Sequence, residues 1–123
     1  MAEIFVFGSN LLGIHKKGAA LHALKNHGAI LGKGFGIQGQ SYAIPTKFNP
    51  YQSLDIITIN KYVADFLDWA LYTKCNTYNV TCIGCGLAGY DATQIAPLFR
   101  LALNDILLSN VKLPLEFIEV LSN

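Results

Sequence analysis

Residues 78–94 read YNVTCIGCGLAGYDATQ, and the fold depends on how this stretch divides. Tyr78 to Ile83 alternates in the period of a strand, and Gly84-Cys85-Gly86 stops it. Asp91 with Gln94 three residues later predicts a capped helix, running to about Leu108 with Pro97 in its first turn. Between strand and helix, Gly84-Cys85-Gly86-Leu87-Ala88-Gly89-Tyr90 leaves backbone N–H groups uncovered and permits positive φ. Such a loop at the positive end of a helix suits a phosphate or diphosphate, with Tyr90 at the rim to lie along a sugar or base. The plainer reading is a tight strand-to-helix turn without a ligand.

Upstream, Ile4-Phe5-Val6-Phe7 is a short apolar run stopped by Gly8-Ser9-Asn10, which predicts a buried strand. Lys17 to His27 has Ala19, Ala20, Ala23 and Leu24 at helical spacing, and Gly28 is placed to end it. The connection between them carries Gly8, Ser9, Asn10, Gly13, His15, Lys16, Lys17 and Gly18, a second glycine-rich strand–loop–helix junction at the same expected sheet edge. Its plainer reading is an Asx-type turn at Asn10 with solvated lysines. Ser41 to Ile44 predicts a strand that Pro45 terminates, followed by an irregular stretch to residue 57. Thr58 to about Lys74 has two apolar rows, Tyr62, Phe66, Ala70 and Val63, Leu67, Leu71, as a helix does. Leu115 to Leu121 is read as a last strand. The order β-α-β-α-β-α-β predicts one α/β domain over residues 1–123, a three-layer α/β/α sandwich around a mixed, mostly parallel sheet. Ligands are then expected at the carboxyl ends of the strands, in the loops after Phe7 and Ile83.

Two motifs are set aside. Gly34-Phe35-Gly36-Ile37-Gln38-Gly39 matches GxGxxG, but it precedes a strand instead of following one, so it is read as a mobile lid or turn flanking the ligand. Cys82 and Cys85 have CxxC spacing, yet Cys82 lies in the expected strand and the helix comes later, which favours core packing over redox chemistry. No metal is expected, since a fourth cysteine is missing and His15, His22 and His27 lack ligand spacing. No cofactor is implied.

Composition bounds the rest. The chain has 123 residues, of which 52% are hydrophobic and 14% charged, which excludes a disordered tail or a coiled coil. So small a charged fraction allows a homodimer. Residues 1–50 carry a net charge of +4 and residues 51–123 carry −3, and no acidic residue stands between Glu3 and Asp55. A basic, glycine-rich half suits a small anionic ligand. One arginine, Arg100, and no basic stripe speak against nucleic acid. Three cysteines, no basic leader and no long apolar run place the chain in the cytoplasm, away from membranes.

The two loops resemble those of the macro domain family, whose members bind ADP-ribose and sometimes hydrolyse its linkages. Ile83 to Tyr90 is similar to the family's second phosphate loop. The resemblance implies that the backbone of Cys85, Gly86, Leu87, Ala88 and Gly89 holds the diphosphate and that Tyr90 packs on the distal ribose. Asn10 resembles the asparagine that contacts that ribose, and Gly13 to Ala20 the first glycine-rich loop and its helix. FGSNLLGIHKKGAA with QGQSYAIPTK is similar to short macro-like proteins of bacteria and their phages. Element order agrees over most of the chain, and specific motifs over about a quarter of it. Three departures stand out. The first loop is bulkier than the family's glycine run, Lys16 and Lys17 stand where some hydrolytic members have an acid, and the early adenine-gripping aspartate has no counterpart.

Three readings follow. In the first, the domain binds ADP-ribose or a related adenine diphosphate-ribose metabolite through Gly8, Ser9, Asn10, Gly13, Gly18, Ala19 and Gly84 to Tyr90. In the second, it is a hydrolase releasing ADP-ribose from protein or small-molecule conjugates, with Asn10 orienting water or ribose and His15 titrating near neutrality. That reading makes an ADP-ribosylated protein a partner, and it ranks lower because no carboxylate base is evident. The third is a non-catalytic interaction protein whose loops merely turn.

Overall fold

The structure is a computed structural model, and it describes residues 2–122. Strand β1 (Glu3–Asn10) is the buried strand expected of its apolar run: Ile4 and Val6 enter one core and Phe7 the other. It occupies the middle of the sheet, parallel to β3 (Ser41–Asn49) on one side and to β5 (Thr77–Val80) on the other. The short β2 (Gly36–Gln38) pairs antiparallel with β3 at one edge, and β6 (Val111–Lys112) runs parallel to β5 at the other. β4 (Gln52–Ser53) pairs antiparallel with the end of β3. The order β2-β3-β1-β5-β6 makes a mixed, mostly parallel sheet.

Its two faces are packed differently. Helix α1 (Gly18–Asn26) lies on one, with Ala20 and Ala23 against Phe7, Ala29 and Ala43. On the other, α2 (Ile56–Tyr72), α3 (Ala92–Ile95), a 3-10 helix (Ala96–Leu103) and α4 (Leu115–Leu121) cover an aromatic core in which Phe66, Tyr78, Phe99 and Phe117 are buried. The three-layer α/β/α architecture expected from the element order is present. Among the described residues no helix is long and apolar enough to cross a membrane.

Five local expectations are corrected. Pro45 does not end its strand. It sits opposite Ser9, where the outer side of β3 has no partner between the stretch paired with β2 and the stretch paired with β4, so the missing N–H costs no ladder bond. The irregular stretch 46–57 therefore contains the end of β3, the strand β4 and the start of α2, which Asp55 caps by accepting from the Thr58 N–H at 2.8 Å. β5 ends at Val80, before the Cys82–Cys85 turn. The helix at residue 92 has its capping box, but Pro97 cannot donate to the Thr93 carbonyl, and the chain continues as a 3-10 helix to Leu103. Leu115 to Leu121 is helix α4, with Phe117 and Leu121 four residues apart facing the core. The last strand is the two-residue β6.

Candidate functional site

A cavity of about 980 Å³ opens at the carboxyl ends of β1, β3 and β5. The end of β1 and the start of α1 form one wall, and the segment 81–88 forms the facing one. A third wall, Thr46 to Tyr51, was not foreseen; it is the end of β3 and the turn into β4. Lys16, Lys17 and Lys47 line the cavity, and among the described lining residues there is no carboxylate.

The first loop is fixed by Asn10. Its side-chain amide donates to the Ile14 carbonyl at 2.9 Å and accepts from the Ile14 N–H at 3.0 Å, a clamp over four residues where the expected Asx-type turn would span two. Ser9 donates its hydroxyl proton to the Gly34 carbonyl. Lys17 then starts α1 without a side-chain cap. The N–H groups of Gly18, Ala19 and Ala20 consequently have no partner among the described residues, and all three residues line the cavity. Gly18 takes φ +58°, the left-handed turn that brings the helix start to the cavity.

The second loop begins with a turn in which the Cys85 N–H donates to the Cys82 carbonyl at 3.2 Å, with Gly84 at φ +76°. Gly86, Leu87 and Ala88 follow with N–H groups that have no partner among the described residues. The loop is held from behind by the β3–β4 turn. Lys47 Nζ donates to the carbonyls of Pro50 at 2.7 Å and Leu87 at 3.3 Å, and Ser53 Oγ donates to the Ala88 carbonyl at 2.6 Å. Residues of two loops with free N–H groups among the described residues, together with Lys16, Lys17 and Lys47, thus line one cavity without a described carboxylate, which suits an anion with several oxygens.

Of the residues singled out in the sequence, Gly8, Ser9, Asn10, Gly18, Ala19, Gly84, Cys85, Gly86, Leu87 and Ala88 line this cavity together. Gly13, His15, Gly89 and Tyr90 do not. Gly13 packs backbone against backbone: a Cβ there would lie 2.3 Å from the Lys33 nitrogen. The His15 ring is fully buried, edge-on to Phe7, with Nε2 3.0 Å from the Lys33 carbonyl oxygen and Nδ1 without a partner among the described residues. It is a wedge between chain segments and stands off the cavity surface. Gly89 turns the loop back at φ +84°. Tyr90 donates its hydroxyl proton to the Leu54 carbonyl, so its ring braces the loop from outside the cavity. Gly34 to Gly39, read as a lid or turn beside the ligand, forms the edge strand and its turn and contributes nothing to the lining.

Reactive groups are sparse. Burial, followed by the neighbouring Cys82, pushes the Cys85 thiol up to about 12, so it is protonated and poorly nucleophilic at neutral pH. Both cysteines pack against the large core. Among the described residues no group of three or more His, Cys, Asp or Glu side chains is arranged to hold a metal ion.

The sequence matches no family model, and no curated protein matches it. A solved structure is similar: Thermosipho africanus DarTG in complex with ADP-ribose, with a TM-score of 0.61 and 16% sequence identity, over 97% of this chain and 42% of that one. The chain spans about two-fifths of the length of that protein, and what the two share is the mixed α/β fold.

Proposed function

We propose that this cavity binds ADP-ribose or a related adenine diphosphate-ribose metabolite in the manner of a macro-like domain. The observation that carries this reading is that two sets of N–H groups without a partner among the described residues belong to residues lining one cavity, with three lysines and no carboxylate among its described lining residues. One set belongs to Gly18, Ala19 and Ala20, the other to Gly86, Leu87 and Ala88. A diphosphate placed between the two loops takes hydrogen bonds from both sides and sits at the positive end of α1. The likeness of fold to a structure holding ADP-ribose supports the same choice. In this reading Tyr90 acts as a positioning residue that holds the second loop to Leu54. Binding is favoured over hydrolysis, because the cavity lining offers no carboxylate base and His15 is packed elsewhere.

Isothermal titration with ADP-ribose, NAD, AMP and ribose-5-phosphate tests the reading. Saturable binding of ADP-ribose, with AMP and ribose-5-phosphate weaker, is the expected result. Gly86→Glu is the clean blocking variant: a Cβ at Gly86 meets nothing within 4 Å and its φ is not positive. Gly18 is a poorer choice because its φ of +58° strains any side chain. Silence with all four ligands from folded protein, or unchanged affinity in Gly86→Glu, would contradict the proposal.

A further inference from the structure

A second concavity, about 500 Å³, lies between the outer side of α2 and the edge strand β2, and it shares no residue with the cavity above. Its floor is the buried Tyr42. Phe35 stands edge-on to that ring at 6.4 Å between centroids, and Trp69 lies 6.4 Å from it on the opposite element. Tyr72 completes the wall and is 84% exposed. Trp69 and Tyr72 are exposed, and the face of an exposed aromatic ring attracts a cation.

The charges point the same way. Asp65 and Asp68 project from α2 three residues apart, on one side of the helix, and both line the groove. Burial first, and the Asp65 carboxylate second, push the Tyr42 phenol well above its ordinary value, which places that carboxylate close to the groove floor. Lys33, the one cation among the described lining residues, donates Nζ to the Ile37 carbonyl at 2.7 Å and so serves the edge of β2. An occupant must therefore be positive and flat enough to lie on a ring. It must also carry donors for two carboxylates.

We propose that this groove docks an arginine side chain of a partner protein, with the guanidinium against Trp69 or Tyr72 and its N–H fork on Asp65 or Asp68. A quaternary ammonium brings charge but no donors, and a lysine is a compact, strongly hydrated charge that stacks poorly. Nucleic acid is repelled by the two carboxylates.

Trp69 is the single tryptophan of the chain, so its emission reports the groove directly. The probe is a capped Gly-Arg-Gly peptide and a longer peptide with several arginines, with citrulline versions as neutral controls of the same shape. Saturable change of Trp69 emission with the arginine peptides, weakened about tenfold in Asp65→Asn/Asp68→Asn, is expected. Both carboxylates are exposed, so the double variant keeps its fold, which circular dichroism checks. Tyr72→Ala, at an exposed position, provides a second weakened variant. Equal response to citrulline, tetramethylammonium binding in place of arginine, no response at all, or full affinity in both variants would each overturn the proposal. ADP-ribose titration of the same variants is unaffected on this account, so the two sites stand or fall separately.

Discussion

A Cβ placed on Gly34 would lie 2.1 Å from the Asn10 carbonyl oxygen, whereas one placed on Gly86 would meet nothing within 4 Å. The two glycines stand for two regions of similar composition. Between residues 28 and 39 backbone meets backbone at Gly28, Gly34 and Gly39, where a Cβ on Gly39 would lie 2.6 Å from the Gly28 oxygen, while Gly32 and Gly36 stay open. Gly28 and Gly39 both take positive φ. Between residues 84 and 89, Gly86 and Gly89 have open space in front of them, and the N–H groups of Gly86, Leu87 and Ala88 have no partner among the described residues. Glycine content alone does not mark a ligand loop, and neither does open space in front of the missing side chain, which Gly32 and Gly36 also have; N–H groups without a partner among the described residues, on residues that line a cavity, do.

Substitution separates the two regions, and the largest effect is expected at Gly34. Gly34→Ala forces a methyl group into backbone that cannot swing aside and costs about 3 kcal/mol or more, read as a drop in the denaturant midpoint. Gly84→Ala is intermediate. Its φ of +76° and the Ile95 side chain at 3.1 Å cost about 1–2 kcal/mol, because Ile95 can give way while the backbone strain remains. Gly86→Glu changes stability by only about 0.5 kcal/mol, while removing ADP-ribose binding. A Gly34→Ala protein as stable as wild type would break the comparison at its packed end.

Lys47 sharpens the open end. It lines the cavity and holds the carbonyls of Pro50 and Leu87, so Lys47→Met loses both a charge and a loop anchor. ADP-ribose affinity is expected to fall about tenfold, with a flatter dependence on salt than wild type. The smallest effect belongs to the helix start behind the loop. The Thr93 hydroxyl first, then backbone N–H groups, hold the Asp91 carboxyl below the ordinary carboxylate value. A lowered folded-state pKa gives stability that is present above the unfolded carboxylate range and is lost as pH falls through the folded value. Urea midpoints compared at neutral and at strongly acidic pH should therefore drop more in wild type than in Asp91→Asn.

Most of the sheet and its helices could be read in the sequence because their signals are local. The continuous apolar run Ile4 to Phe7, the two apolar rows of α2 and the Asp91–Gln94 capping box each lie within one element. The misreadings differ in origin. Pro45 is tolerated because of which neighbours β3 lacks at that point, and no local rule reports that. In Leu115 to Leu121 the four-residue spacing of Phe117 and Leu121 after Pro114 was a helical signal, outweighed by the density of apolar residues. The third wall of the cavity is a long-range product: Lys47 reaches Leu87 across 40 positions, and Ser53 reaches Ala88 across 35. His15, a candidate site residue of the first loop by sequence, is buried by a contact 18 positions away, with the Lys33 carbonyl, which no local pattern reports.

The most direct measurement is amide chemical-shift mapping of the labelled protein during titration with ADP-ribose. The N–H signals of Gly86, Leu87 and Ala88, with those of Gly18, Ala19 and Ala20, should move saturably and together, while those of Gly34 to Gly39 stay in place. Shifts at residues 34–39 with silence at 86–88, or no shifts from a folded sample, would contradict the account.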